Sequence, residues 1–479
     1  MDAGKQGPGT EQTAGRTALV VGGGISGLLA ARELAAADFH TTVLEASGSW
    51  GGCVGSHVVA GLTLDSGAES FATRSTAVAE LAAELGLAGK IVAPHPGGAW
   101  VQLPDGPREL PKTGVLGIPA NPWDPEVRRT LGFLGSFRAS LDKYLPAAVG
   151  TGGDVTSVSA LVGARMGRRV LQRLVEPVVG GVHSADPALL DVDMVAPGLR
   201  AAAKEHGSLA AAVAAQRRTP GTKAGSAVAG LEGGMHTLVS ALVADLRHRG
   251  VTLLGNSRAG SIVRTADGWH VTAEEKIHDA GLLVVALDGP AAIGLLEDAV
   301  PALVGRRPES GPDVKLVTIV VDLPELDGSP RGTGILVAPQ TPGVQAKALT
   351  HATAKWDWLA AETGPGTHVL RLSYGRAGKE PASEDKDPQS DTQLLAAALR
   401  DASSLLSVPV TAQDVVDWDV VRWPGALPFA AVGHKQRVAE VRRICTDAGS
   451  LAIVGGWVSG NGLAAVVADT GQQIRALTS

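Results

Sequence analysis

The stretch that decides the fold is TALVVGGGISGLLAARELAAADFHTTVLEA, residues 17–46. Thr17–Val21 is a short apolar run of the kind that forms a buried strand. Gly22, Gly24 and Gly27 follow as G-x-G-x-x-G. Leu28, Ala31, Leu34 and Ala35 then recur at helical spacing, and Thr41–Leu44 makes a second strand that ends at Glu45. Strand, glycine turn, helix and strand in that order form a dinucleotide site. Gly22 permits the tight turn, Gly24 lets the main chain approach a pyrophosphate, and Gly27 lets the helix pack closely on the strand. The helix start, at Ile25 and Ser26, favours the anion. Glu45, followed by Ala46, lies 18 residues beyond Gly27, where an acid accepts hydrogen bonds from ribose hydroxyls. A carboxylate there repels a 2′-phosphate, which disfavours NADP and leaves FAD and NAD open.

The rest of the chain is consistent with a cofactor held by backbone and shape. Its 479 residues are 44% hydrophobic and 19% charged, enough for two or three globular units. Aromatic residues make up only 3%, with nine tryptophans, five phenylalanines and two tyrosines, and the net charge is −6. That balance excludes a single-stranded nucleic-acid binder, which needs stacking rings in a basic groove. Cys53 and Cys445 are too few for a disulfide scaffold or an iron–sulfur site and suit a reducing compartment. Residues 1–15 are polar and read as a disordered tail rather than a signal peptide. With no long apolar run, a transmembrane segment is not expected and a cytoplasmic location is. The histidines show no metal-ligand spacing, and no metal is expected.

Three further segments extend the nucleotide pattern. After Glu45 come Gly51-Gly52, a hairpin over Val58–Asp65 around Ala60-Gly61, and a turn at Gly67-Ala68-Glu69-Ser70. Residues 230–287 carry Gly233-Gly234-Met235 before a helix, a strand at Val251–Leu254, a hairpin over Ser261–Ala273 turning at Asp267-Gly268, and a buried strand at Leu282–Leu287. Residues 451–471 repeat strand, glycines and helix: Leu451–Val454, Gly455-Gly456, then Gly460 and Gly462 before Leu463 and Ala464. This arrangement resembles the flavin amine oxidase superfamily. The resemblance implies FAD, with Gly51, Gly52 and the Gly67–Ser70 turn beside it, Ala259 near the adenine, and Gly456, Gly462, Leu463 and Ala464 at the flavin ring. Cys53 stands where that superfamily often has a basic residue, and its plain reading is a small buried side chain.

Four stretches resemble the FAD-dependent porphyrinogen oxidases of haem synthesis: 100–122, 175–197, 231–242 and 423–434. The soluble bacterial branch, acting on coproporphyrinogen III, is the nearest likeness. It implies six-electron oxidation with oxygen as acceptor, hydrogen peroxide as product, and transient hand-off to a ferrochelatase. Protoporphyrinogen IX oxidation, an amine oxidase, and a redox-inactive flavin-fold binding protein are the alternatives. An amine oxidase is disfavoured because the chain lacks aromatics for an amine cage. The flavin does the chemistry in such an enzyme, so no single catalytic acid or base is expected.

Propionates call for cations. Arg74 is the first candidate, Lys315 the second and Arg376 the weakest; the plain reading of Lys315 is a strand-edge or surface residue. His183 reads as structural, and Trp423 as lying beside the flavin or the substrate cleft. The fold class is α/β, with a discontinuous Rossmann-like FAD domain (16–75, 215–290, 415–479), a mainly helical subdomain (76–214) and a mixed α+β substrate domain (291–414). Helices are predicted at Ala77–Leu85, Pro125–Leu145, Ser157–Leu174 and Asp391–Leu406, strands at Val314–Leu323 and Thr367–Tyr374, and loops at 217–229 and 378–391.

Overall fold

A computed structural model describes residues 16–111, 114–152, 157–217, 228–377, 390–425, 431–460 and 462–479. The tail at 1–15 and most of the two loops read at 217–229 and 378–391 lie outside the described residues.

The chain begins with β1 (Thr17–Val21), α1 (Ile25–Ala36) and β2 (His40–Leu44). The hairpin β3 (Ser56–Val59) and β4 (Leu62–Asp65) turns on Ala60 and Gly61, both at positive φ (51° and 79°). Next come α2 (Ala77–Glu84), the hairpin β5 (Trp100–Leu103) and β6 (Gly106–Glu109), and the helices α3 (Pro125–Ser140), α4 (Val158–Arg165) and α5 (Glu176–His183). β7 (Val228–Leu231), α6 (His236–His248) and β8 (Thr252–Leu254) lead to a three-stranded meander, β9 (Ala259–Arg264), β10 (Trp269–Ala273) and β11 (Lys276–Ala280), and to β12 (Leu282–Val285). The last third holds β13 (Val314–Asp322), β14 (Gly334–Val337), β15 (Ala348–His351), β16 (Thr367–Tyr374) and α7 (Asp391–Leu406). It ends with β17 (Val415–Trp423), α8 (His434–Ala448), β18 (Leu451–Ile453) and α9 (Leu463–Thr478).

Five strands from both ends and the middle of the chain form one parallel sheet in the order β8-β2-β1-β12-β18. Ala18 and Val20 of β1 face a core shared with α1 and α6. Leu19 and Val21 face a second core, shared with the meander and α8. Burial on both faces explains why the TALVV run shows no polar alternation.

The second sheet has seven strands in the order β17-β13-β16-β15-β14-β5-β6. Val317, Ile319 and Leu370 on one face pack under Leu394, Ala398 and Leu405 of α7, whose start is fixed by a capping box between Ser390 and Gln393. On the other face Val320 and Val369 meet Val59 and Leu64 of the β3–β4 hairpin, which covers that side of the second sheet. A third core is helical, built from α3, α4, α5 and their neighbours. Arg165 and Asp142 are paired at its centre, and Arg165 also donates to the carbonyls of Asp142, Val149 and Gly207.

The structure departs from the sequence reading in four places. Residues 415–423, assigned to the nucleotide unit, pair antiparallel with β13 in the second sheet. Residues 100–109, assigned to the helical region, also join that sheet, through β5 against β14. In both cases ladder partners far away in sequence decide membership. The helix predicted over Ser157–Leu174 stops after Arg165, because Gly167 takes φ 90°. Cys53 is exposed rather than buried.

Candidate dinucleotide and redox site

The site begins where β1 turns into α1. Gly22 adopts φ 108° and donates its N–H to Leu44 O at 2.8 Å, which joins the turn to β2. A Cβ on Gly27 would lie 1.8 Å from Gly22 O, so only glycine lets α1 start this close to the strand. Gly24 behaves differently. Its backbone is extended (φ −66°, ψ 172°), and a Cβ there would meet no atom within 4 Å. It opens onto free space beside the α1 N-terminus, at Ile25 and Ser26, where the first amide N–H groups of a helix lack intrahelical partners.

The second glycine turn lines the same opening. Gly51 N donates to Gly23 O at 2.8 Å, and Gly51 O accepts from Ile25 N at 3.2 Å. Gly52 is exposed, and a Cβ on it would come within 3.3 Å of Gly24 Cα. Gly23, which the G-x-G pattern passes over, must also be glycine: a side chain would strike the Trp50 ring at 2.6 Å. Its N–H donates to Glu45 Oε2 at 2.7 Å. The other oxygen of Glu45 takes the Ser47 N–H at 2.8 Å and hydroxyl at 2.7 Å. Glu45 is therefore fixed at the end of β2, with Ala46 exposed beside it. Asn256 N donates to Ser47 O and Ser257 N to Glu45 O, each at 2.8 Å, so the segment just before β9 borders the acid. Ala259 opens β9, two residues beyond Ser257.

The Gly67–Ser70 turn sits one layer further along, and its anchors come from across the chain. Ala68 N donates to Cys53 O at 2.8 Å. Trp423 Nε1 donates to Ser66 O at 2.9 Å. Arg371 of β16 donates to Gly67 O and, at 3.4 Å, to Glu69; Lys355 also pairs with Glu69. Burial alone would raise the Glu69 carboxyl, but the charges of Lys355 and Arg371 outweigh it and hold the group below the usual carboxylate range. Asp65 caps α6 through Met235 N and His236 N, both at 2.9 Å. Behind the turn lies a small cleft of about 30 Å³, lined by Asp65, Glu69, Thr318, Trp356 and Arg371 among others. The sequence reading missed Arg371 and Lys355. A lone arginine inside the apolar strand THVLRLSY was the available signal.

The C-terminal unit closes the site. Gly456 opens a short helix to Ser459, and Gly462 (φ 118°) precedes α9; a Cβ on Gly462 would again meet nothing within 4 Å. Leu463 and Ala464 pack against the core that holds Ile25 and Leu28, and so does Ala68. Three glycine-bearing segments thus share one wall. Nearby, the buried His434 places Nε2 2.6 Å from Trp457 O.

Other candidates lie elsewhere. Lys315 pairs in register with Arg422 and Tyr374, whereas its neighbour Val314 pairs with Trp423. Tyr374 belongs to the core under α7. Strand alternation therefore turns Lys315 towards α7, away from Trp423 and the Ser66–Glu69 turn. Lys315 is not at a sheet edge, since β13 is flanked on both sides. Arg74 is exposed on the segment between the turn and α2. Arg376 is committed to Val337 O at 2.6 Å, and burial lowers it to about 10. His183 is buried and lowered by desolvation to about 4, which keeps it neutral. Among the described residues no group of three His, Cys, Asp or Glu side chains could hold a metal.

Glycine turns at the head of a parallel sheet, an acid at the end of the second strand and a closing C-terminal glycine–helix unit define the FAD-dependent class of oxidoreductases. The open space at Gly24 and Gly462 and the fixed Glu45 fit that cofactor. The chain belongs to the flavin-containing amine oxidoreductase family, whose model matches residues 25–467, and it is an FAD-dependent oxidoreductase. It is 30% identical to a coproporphyrinogen III oxidase of Mycobacterium leprae over 468 residues, 96% of this chain and 98% of that protein. A coproporphyrinogen III oxidase of Staphylococcus aureus is 25% identical, over 89% of this chain and 91% of its own length. Among solved structures, a protein from Exiguobacterium sp. 255-15, described as a candidate protoporphyrinogen oxidase, superposes with a TM-score of 0.79 at 23% identity, covering 97% of this chain and 98% of its own. At that identity the likeness speaks to the fold, which is of the flavin amine oxidase type. No helix among the described residues is long and apolar enough to cross a membrane.

Proposed function

We propose that the protein oxidises coproporphyrinogen III to coproporphyrin III, with three oxygen molecules reduced to three hydrogen peroxide as six electrons and six protons leave the porphyrinogen. The observation that carries this reading is near-full-length similarity to coproporphyrinogen III oxidases together with an intact glycine-lined site. Bound FAD supplies the two-electron acceptor for each round. The chain's own work is placement. Gly22, Gly24, Ile25, Ser26, Gly27, Gly51 and Gly52 cradle the pyrophosphate. Glu45 and Ala46 flank the ribose and Ala259 the adenine. Gly67, Ala68, Glu69 and Ser70, held by Arg371 and Trp423, and Gly456, Gly462, Leu463 and Ala464 border the ring. No side chain is assigned as a catalytic acid or base. Arg74, exposed beyond the turn, is the remaining candidate for a propionate.

The test compares coproporphyrinogen III with protoporphyrinogen IX, both prepared anaerobically, by the rise of porphyrin fluorescence on admitting oxygen. Faster turnover of coproporphyrinogen, with three peroxides per porphyrin formed, is expected. Faster turnover of protoporphyrinogen would overturn the substrate assignment. Peroxide from polyamines but not from porphyrinogens would overturn the class.

A further inference from the structure

A second cavity lies outside the site described above. It measures about 170 Å³, and its walls include Asp327, Ser329, Thr353, Thr363, Thr367 and His368. One water needs roughly 10–15 Å³, so there is room for a small organic molecule. The polar groups are mostly oxygens. Thr363 and Gly364 border the cavity at the end of the helix Asp357–Thr363, so the negative end of that helix faces it. A hydrogen-bonded chain fixes the charge. Asp327 Oδ1 accepts from Gly366 N at 2.9 Å and lies 3.2 Å from His368 Nε2, while His368 Nδ1 lies 3.0 Å from His351 Nε2. An ionised carboxylate only accepts, so His368 carries its proton on Nε2 and takes the His351 N–H on Nδ1. Burial lowers both imidazoles, His351 to about 3, which keeps them neutral at physiological pH. Asp327, with its side chain 49% exposed, is then the one formal charge on the cavity wall among the described residues.

The neighbouring cations are committed elsewhere. Lys355 pairs with Glu69, and Arg331 stacks on Trp100 and donates to Ser407 Oγ at 3.0 Å. An anion would therefore meet a carboxylate and no cation. A cation meets a carboxylate, hydroxyls and helix carbonyls. Among the described residues no group of three His, Cys, Asp or Glu side chains could hold a metal ion. An ammonium group has three donors for these oxygens, and Ala354, Ala360 and Pro365 supply an apolar wall for a short carbon chain. The cavity also backs onto the flavin-side cleft. Both are built on the short helices Ala352–Lys355 and Asp357–Thr363. Ala352, Trp356 and Leu359 line the cleft, whereas Thr353, Ala354 and Ala360 line the cavity. Lys355, on the same segment, is the residue that holds Glu69 of the Gly67–Ser70 turn.

We propose that this cavity binds a small organic ammonium ion, which donates to Asp327 and to the Thr363 and Thr367 hydroxyls, and that its occupancy is felt at the Gly67–Ser70 turn through Lys355. The proposal stands whichever porphyrinogen the enzyme takes. The test is calorimetric titration of the FAD-loaded enzyme with n-propylammonium, n-propanol and propionate. Only the ammonium should saturate, with a Kd of about 1 mM or tighter. Asp327→Asn keeps an acceptor for Gly366 N but loses the charge, and should weaken binding about ten- to a hundredfold. Thr367→Val leaves Asp327 and His368 in place and should weaken it about two- to tenfold. The FAD-loaded enzyme should bind the ammonium at least about fivefold more tightly than the apoprotein, and the ammonium should tighten FAD by the same factor. Saturation by n-propanol or by potassium ions alone, affinity unchanged in both variants, or equal affinity of apoprotein and FAD-loaded enzyme would overturn the proposal.

Discussion

Gly24 and Gly27 stand three residues apart, at the N-cap and in the first turn of α1, and replacing each by alanine should fail in a different way. In Gly24→Ala the new methyl meets no protein atom within 4 Å, and φ −66° is a conformation alanine adopts freely. The apoprotein should therefore change in stability by less than about 0.5 kcal/mol. What the methyl does occupy is the space over the α1 N-terminus. If a pyrophosphate rests there, displacing one charge-assisted hydrogen bond removes about 1.5–3 kcal/mol, or roughly ten- to a hundredfold in FAD affinity. In Gly27→Ala the methyl falls 1.8 Å from Gly22 O, a backbone atom of the neighbouring turn. Overpacking typically costs about 1–3 kcal/mol when side chains can move. Here neither partner can rotate away, so the loss belongs at or above that upper figure, and the apoprotein itself is weakened. FAD titration of the two apoproteins and their urea unfolding separate the cases. The reasoning is refuted if Gly24→Ala binds FAD as tightly as the parent, or if its apoprotein is weakened as much as that of Gly27→Ala.

Other perturbations test the supports of the site. Arg165→Met leaves Asp142 buried without its cation, and the loss in urea unfolding should be about 3–5 kcal/mol. Arg371→Gln frees Gly67 O and one side of Glu69, so FAD should dissociate about tenfold faster in a chase experiment. Because the folded Glu69 carboxyl lies below its unfolded value, its stabilisation is complete above the ordinary carboxylate range and is lost as pH falls through the lower folded value. The variant should therefore begin acid unfolding at higher pH than the parent. Lys347 is buried against Ser184 and Gly375 O, and desolvation, with the charge of Arg376, lowers it to about 7. The unfolded lysine keeps its proton to about pH 10.4, so the unfolded state binds more protons between those values and stability should rise with pH there, by at most about 1.4 kcal/mol per unit. Lys347→Met should flatten that rise in urea titrations at pH 7, 8 and 9.

The nucleotide sheet was legible because its signals are local. Glycine spacing, a strand apolar on both faces and an acid at a strand end all fall inside a window of 30 residues, 17–46. The Ala60-Gly61 turn and the first residues of α7 were legible for the same reason. The face that Lys315 takes was not legible, because a strand's period is visible in sequence but its phase is not. Only the pairing of Val314 with Trp423 shows which side faces the turn. Arg371 escaped notice because it reaches Gly67 across 304 residues, a contact that leaves no trace in spacing. The α3 helix was predicted over Pro125–Leu145 and ends at Ser140, and the outward direction of its large side chains was not legible, because Gly132 resets its phase midway.

The strand order of the parallel sheet has a consequence for biosynthesis. β12, which covers the second edge of β1, follows it by more than 260 residues, and β18 follows β1 by about 430. At translation rates of about 5–20 residues per second, roughly 20–90 s pass before the sheet can be completed. Through that interval β1 and β2 present apolar faces and an open edge to the cell. The nascent chain is thus a natural client for chaperones that shield such surfaces. A chain that lacked α9 would lose the wall supplied by Leu463 and Ala464 and should not retain FAD.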